Sequence, residues 1–164
     1  MRAHTDAHRA VRAHLVWLLG GGHAHVSFDS AVAALPAAAR GMRPADLPYS
    51  PWMLLEHMRL AQWDILDFSR NPGYVQPDWP DDYWPKNPDP PNAAAWAKSV
   101  AAFRRDLRAM IALVKSPKID LFARIPHGGG QTILREALLV ADHNAYHLGQ
   151  LIVVRRLLGV WKDA

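Results

Sequence analysis

The chain has 164 residues, enough for one domain with a core of its own and too few for two of ordinary size. Half of it is apolar and none of it is cysteine, which excludes disulfides, iron–sulfur clusters, zinc knuckles and thiol nucleophiles. The formal charge of +4 has the sign that nucleic-acid binding needs, but the densest basic group, Arg104, Arg105 and Arg108, shares a helix with Asp106 and no nucleic-acid-binding motif accompanies it, so no nucleic-acid partner is expected.

The first residues are interrupted by charges and histidines and lack the apolar centre of a signal peptide. No run approaches the ~18 apolar residues of a spanning helix, so a cytoplasmic protein without membrane partners is expected. A first helix is predicted over 6–19, with Thr5 as N-cap and Gly20-Gly21-Gly22 as its stop. A short helix over 28–35 follows, closed or kinked by Pro36, and then a stretch broken by Gly41, Pro44 and Pro48. Ser50-Pro51 is a strong helix start, because serine caps free N–H groups and proline suits the first helical position. The second long helix is predicted over 51–70, stopped by Asn71-Pro72-Gly73.

Residues 71–91 hold seven of the thirteen prolines, so they cannot be a helix interior. Trp79, Tyr83 and Trp84 lie in the same stretch, and aromatics of that size need a surface to cover. An ordered crossover packed on the domain, forming part of a pocket wall, is expected. Asn92 is predicted to cap a third long helix over 93–115, ended by Ser116-Pro117. Thr132 is predicted to cap the last helix, which runs to Leu158 before Gly159, with a short extended piece around 121–125 before it. The expectation is a single all-α domain over 1–164: a four-helix bundle with an extra short helix and one long connection.

His143 and His147 stand four apart on the last helix, one turn from each other on one face, where two imidazoles can share a metal ion. The spacing alone also fits a pair of packed or surface histidines. The two share their face with Glu136, Leu139, Val140, Gln150 and Val154, and a second apolar stripe of Leu134, Leu138, Ala141, Ala145, Leu148 and Ile152 lies opposite. A helix apolar on two sides needs two partners, which raises a homodimer as one answer. An open metal site uses three protein ligands. The third candidate is His57, on a stripe with Met53, Leu54, Leu60, Ala61 and Phe68. A lone core histidine is more often a hydrogen-bonded packing residue, but three on two core-facing helices leave several polar atoms to satisfy. Asp64 and Glu136 are candidates to orient a ligand histidine or to pair with an arginine. His4, His8, His14, His23 and His25 read as terminal or loop residues, and His127 as a residue at the pocket mouth. Gly128-Gly129-Gly130 lacks the lysine and hydroxyl of a phosphate loop.

The segments Ser50-Pro51-Trp52-Met53-Leu54-Leu55-Glu56-His57-Met58-Arg59-Leu60-Ala61-Gln62 and Ala141-Asp142-His143-Asn144-Ala145-Tyr146-His147-Leu148-Gly149-Gln150 resemble the DinB/YfiT-like superfamily of bacterial proteins. Its pattern is one histidine early in the second long helix and a His-x-x-x-His pair in the last, matched by His57, His143 and His147. The resemblance implies an up-down-down-up bundle, often dimeric, holding zinc, nickel or a similar divalent ion. Characterised members of the family include transferases and isomerases that use small thiols. A small-molecule substrate, with a low-molecular-weight thiol as co-substrate, is therefore expected for an enzyme of this kind. A metal-assisted hydrolase and a non-catalytic metal or small-molecule binding protein of stress response stay open beside it, and no general base is identified.

Overall fold

The computed structural model describes residues 2–45 and 47–161, except for the side chains of residues 2–5. Five α-helices appear in the order α1 (Arg2–Gly20), α2 (Phe28–Val32), α3 (Pro51–Arg70), α4 (Ala95–Lys115) and α5 (Ile133–Leu157), with a 3-10 turn at Ala37–Ala39. Among the described residues there is no strand: the extended piece expected near 121–125 is a single antiparallel bridge between Arg124 and Thr132.

The caps read from the sequence place α3 and α5 well. Ser50 Oγ accepts from Met53 N with Pro51 at the first position of α3, and Thr132 accepts from Arg135 N at the start of α5. Three boundaries differ. Helix α1 starts at Arg2, so Thr5 lies within it and not at its cap. Helix α2, capped by Ser27, ends at Val32, because Ala33 turns extended and Ala34 takes φ 51° ahead of Pro36. Helix α4 starts at Ala95, since Asn92 uses its side chain to accept from Ala94 N and its carbonyl to accept from Ala95 N, forming a turn in place of the helix cap.

Helix directions follow from cross-helix contacts. Gln62 Nε2 donates to Phe103 O at 2.8 Å and Asn144 Nδ2 donates to Gln62 Oε1 at 2.8 Å, which ties α3 to α4 and to α5. The early part of α3 packs with the early part of α4 and the late part of α5, and its late part with Met110, Val114, Ile133 and Ala137. Helices α3 and α4 therefore run parallel, α5 runs against them and α1 runs with α5: up, down, down, up. Two consecutive parallel helices need a connection that returns along the bundle. Helix α3, with 20 residues, is about 30 Å long, and the proline-rich crossover spans that length. Its far end docks where Ser50 Oγ donates to Pro88 O and where a Cβ on Gly41 would lie 3.0 Å from Asp89 Cα, so only glycine lets the two strands of chain approach.

The core has two apolar clusters. One gathers α2, the early halves of α3 and α4, and the late half of α5. The other gathers α1 with the opposite halves. Between them lies a polar layer: His57 and Gln62 on α3, Asp106 on α4, and His143, Asn144 and His147 on α5. The expected second stripe of α5 is only partly free. Leu148 is buried in the core, and the exposed face carries Leu138, Tyr146, Val153 and Leu157.

Arg12 reaches from α1 to the C-terminal end of α4, donating to the carbonyls of Val114 at 2.6 Å, Ser116 at 3.0 Å and also Ile119. These carbonyls carry the partial negative charge of a helix C-terminus and have no partner inside the helix. Arg12→Ala should cost about 2 kcal/mol, the scale of hydrogen bonds from a charged donor, and lower Tm by about 4–8 °C in thermal unfolding. A Tm within a degree of the parent would show that water replaces the guanidinium there.

Candidate metal centre

The polar layer brings His57, His143 and His147 together, with one ring nitrogen of each within 4.8 Å of the others. Helix α3 supplies His57 about two turns after the Ser50 cap, and α5 supplies the other two from successive turns of its inward face. His57 Nε2 lies 3.1 Å from His147 Nε2 and 3.1 Å from His143 Nε2. His57 and His147 are buried, and His143 is half-buried.

The opposite ring nitrogens fix the tautomers. His57 Nδ1 lies 2.9 Å from the carbonyl of Tyr83, and His147 Nδ1 lies 2.7 Å from Gln150 Oε1. Both acceptors require an N–H, so both neutral rings carry their proton on Nδ1 and present a bare lone pair on Nε2. The His57–His147 contact then sets lone pair against lone pair. His143 can relieve only its own contact, by donating Nε2–H to His57, and that tautomer leaves its buried Nδ1 as an acceptor with no donor. A cation between the three Nε2 atoms would satisfy all three lone pairs at once.

A proton is a poor choice. Burial lowers His57 to about 4 and His143 to about 3, with neighbouring imidazoles adding to the effect, and burial lowers His147 too. A divalent ion fits better: metal–nitrogen bonds of about 2.0–2.1 Å in a tetrahedron put nitrogens about 3.3–3.4 Å apart, close to the spacing here. The cluster can thus hold a metal ion, and its Nε2 set is suited to that task.

The crossover completes the centre. Trp84 stacks on the His57 ring with centroids 3.8 Å apart and planes 7° from parallel, and Tyr83 supplies the carbonyl that holds His57. Asp64 reaches no imidazole. It accepts from the hydroxyls of Tyr74 at 2.7 Å and Tyr83 at 2.8 Å, fastening the crossover to α3 and acting on His57 through Tyr83. Burial and the Asp64 charge raise both phenols well above their ordinary range, so both stay protonated donors. Glu136 is buried against Arg135 at 2.5 Å, the ion-pair alternative for that residue. A cavity of about 260 Å³ lies against Tyr83, between Leu60 and Trp63 of α3 and Pro77 and Asp82 of the crossover.

The remaining histidines lie elsewhere. His127 is not at this pocket's mouth: its Nε2 donates to Phe68 O at 2.7 Å, and Phe68 is about 16 Å along α3 from His57. His23 stacks on Trp17 and bonds its carbonyl, His25 bonds the carbonyl of Val26, His8 packs on Phe122, and the side chain of His4 lies outside the described residues. Three parts of the centre escaped the sequence reading. The Tyr83 contribution is a main-chain atom. Trp84 was legible only as an aromatic needing a surface. Gln150 was visible, three residues after His147 on the same face, yet carried no signal for its role.

A family model for the DinB superfamily matches residues 23–151. The chain belongs to the DinB superfamily. No curated protein and no solved structure matches it. The DinB match begins after α1, although Leu15 and Leu19 of that helix lie in the core.

The lowered histidines make the metal-free protein acid-sensitive. The unfolded chain accepts protons near pH 6.5, whereas folded His57 and His143 resist them down to about 4 and about 3. Their contribution is complete above pH 6.5 and is lost as the pH falls towards those values. In chelator, the urea midpoint should fall between pH 7.5 and pH 5, and fall less in His143→Ala. An equal loss in the variant would assign the acid sensitivity to other groups.

Proposed function

We propose that this DinB protein is a metal-dependent enzyme whose divalent ion, zinc or nickel, is held by His57, His143 and His147. The observation that carries the reading is the convergence of three Nε2 lone pairs, two of them locked by their Nδ1–H donors. Three neutral imidazoles leave the charge of such an ion uncompensated. The ion would supply a Lewis-acid position at which a water or a small thiol loses its proton near neutral pH. The chain's own part is positional. Tyr83 O and Gln150 orient two of the rings, and Trp84 shields one face of His57 from water. The reaction class we favour is transfer of a low-molecular-weight thiol to an electrophile, with metal-assisted hydrolysis second. No carboxylate among the described residues hydrogen-bonds the three imidazoles, so the histidines act as ligands and not as one half of a proton-relay pair.

Elemental analysis of protein loaded with zinc or nickel tests the assignment. One equivalent is expected for the parent and none for His143→Ala. Gln150→Ala should keep the metal but bind it about 10–100-fold more weakly in competition with a chromophoric chelator, since it loses the acceptor that orients His147. Undiminished metal in His143→Ala would falsify the ligand set. Turnover of an electrophile panel by the loaded protein, with each small thiol and without, then separates transferase from hydrolase. Silence in both arms, with metal bound, favours a binding protein.

We further propose that copies pair through α5, whose exposed face carries Leu138, Tyr146, Val153 and Leu157 among the charges of Arg135, Asp142 and Arg156, because apolar side chains gathered on one exposed face mark an interaction surface. A strict monomer in sedimentation at micromolar concentration rejects the pairing.

A further inference from the structure

A second cleft, of about 500 Å³, opens at the other end of the bundle, between the C-terminal end of α3, the start of α5 and the connector from α4 to α5. Its floor is apolar, formed by Ile119, Ile125 and Ile133, the last two buried. Its rim carries Arg70, Lys118 and Arg124 against one carboxylate, Asp120. That carboxylate accepts from Phe122 N at 2.9 Å. Among the described residues Arg70, Lys118 and Arg124 have no ion pair and no side-chain hydrogen bond, while Arg9, Arg59, Arg104, Arg105 and Arg135 each have a carboxylate. The negative end of α3 also points here, but its carbonyls are occupied: Phe68 O accepts from His127 and Asp67 O from Asn71 N. What the cleft offers a solute is therefore an apolar floor under a ring of unneutralised cations.

We infer that this cleft binds a small amphipathic anion, a monocarboxylate with an aliphatic or aromatic body, apart from the histidine centre. The volume lies within the range of small-molecule pockets and suits a body of eight to ten carbons. The isoleucines take the body from water, and the rim cations meet the carboxylate at the surface, where long side chains can close on it. A fully polar anion would leave the floor wet, and a neutral chain would leave the cations unused. The two halves together select a molecule with both properties.

Titration calorimetry of the full-length protein with octanoate, 1-octanol and inorganic phosphate tests this. Octanoate should saturate one site with a Kd of about 0.1–1 mM, the scale expected for ten heavy atoms, and weaken as salt rises. Octanol should bind at least tenfold more weakly, and phosphate should not saturate. Arg70→Ala/Lys118→Ala/Arg124→Ala should weaken octanoate about tenfold or more, leave octanol unchanged and keep one equivalent of metal. Ala123→Trp, which adds bulk to the cleft lining and removes none of the rim charges, should abolish octanoate binding. His143→Ala should bind octanoate as the parent does, and a loss there would place the carboxylate on the metal centre instead. The proposal is overturned if octanoate fails to saturate, or if either the triple variant or Ala123→Trp binds it like the parent.

Discussion

His57 is held on both sides at once: its Nδ1 donates to the Tyr83 carbonyl, and its Nε2 faces the nitrogens of His143 and His147. The first bond decides what the second can be. With the proton committed to Nδ1, the ring presents a lone pair inward, and the centre can take a cation there. That carbonyl comes from the crossover, and the crossover lies over His57 because α3 and α4 run parallel and the chain must travel back along the bundle between them. The topology therefore does chemical work. An antiparallel α3–α4 pair joined by a tight turn would have no chain to lay across His57.

Within the polar layer Gln62 is paired at both ends, whereas His143 Nδ1 and Asn144 Oδ1 are buried without a partner. Gln62 uses both ends of its amide, one on Phe103 O and one on Asn144, and so fixes the relative height of three helices with two hydrogen bonds. Sliding α5 by one turn would strand these groups in an apolar surrounding and separate the histidine pair from His57. The register that satisfies Gln62 is the register that assembles the three imidazoles.

Much of this was legible in residue order. Ser50-Pro51 and Thr132 placed the two helices that carry the histidines, because caps are local chemistry. The inward faces of α3 and α5 followed from apolar spacing, and the three histidines followed from those faces together with the family resemblance. The misses share a cause. Asn92, the end of α2 and the role of Asp64 are decided by partners distant in sequence or by competing turns, which spacing does not encode. Asp64 was weighed as a direct partner of a histidine or an arginine, and its actual partners, Tyr74 and Tyr83, lie on a segment that has no periodicity to read. His127 looked like a neighbour of the centre because it stands near a glycine run before α5. The direction of α5 puts it at the opposite end of the bundle.

The anchor at Tyr83 is a peptide oxygen, and every residue type carries one. Within this centre, then, the chain can drift in composition along the crossover while the atom that matters persists, provided the peptide plane stays where Asp64 and the Tyr83 hydroxyl pin it. Residue identity in that segment records how the strap is fastened. It does not record what the strap presents to the imidazole. A substitution elsewhere in the crossover that kept Tyr83 but rotated its peptide plane would undo the contact.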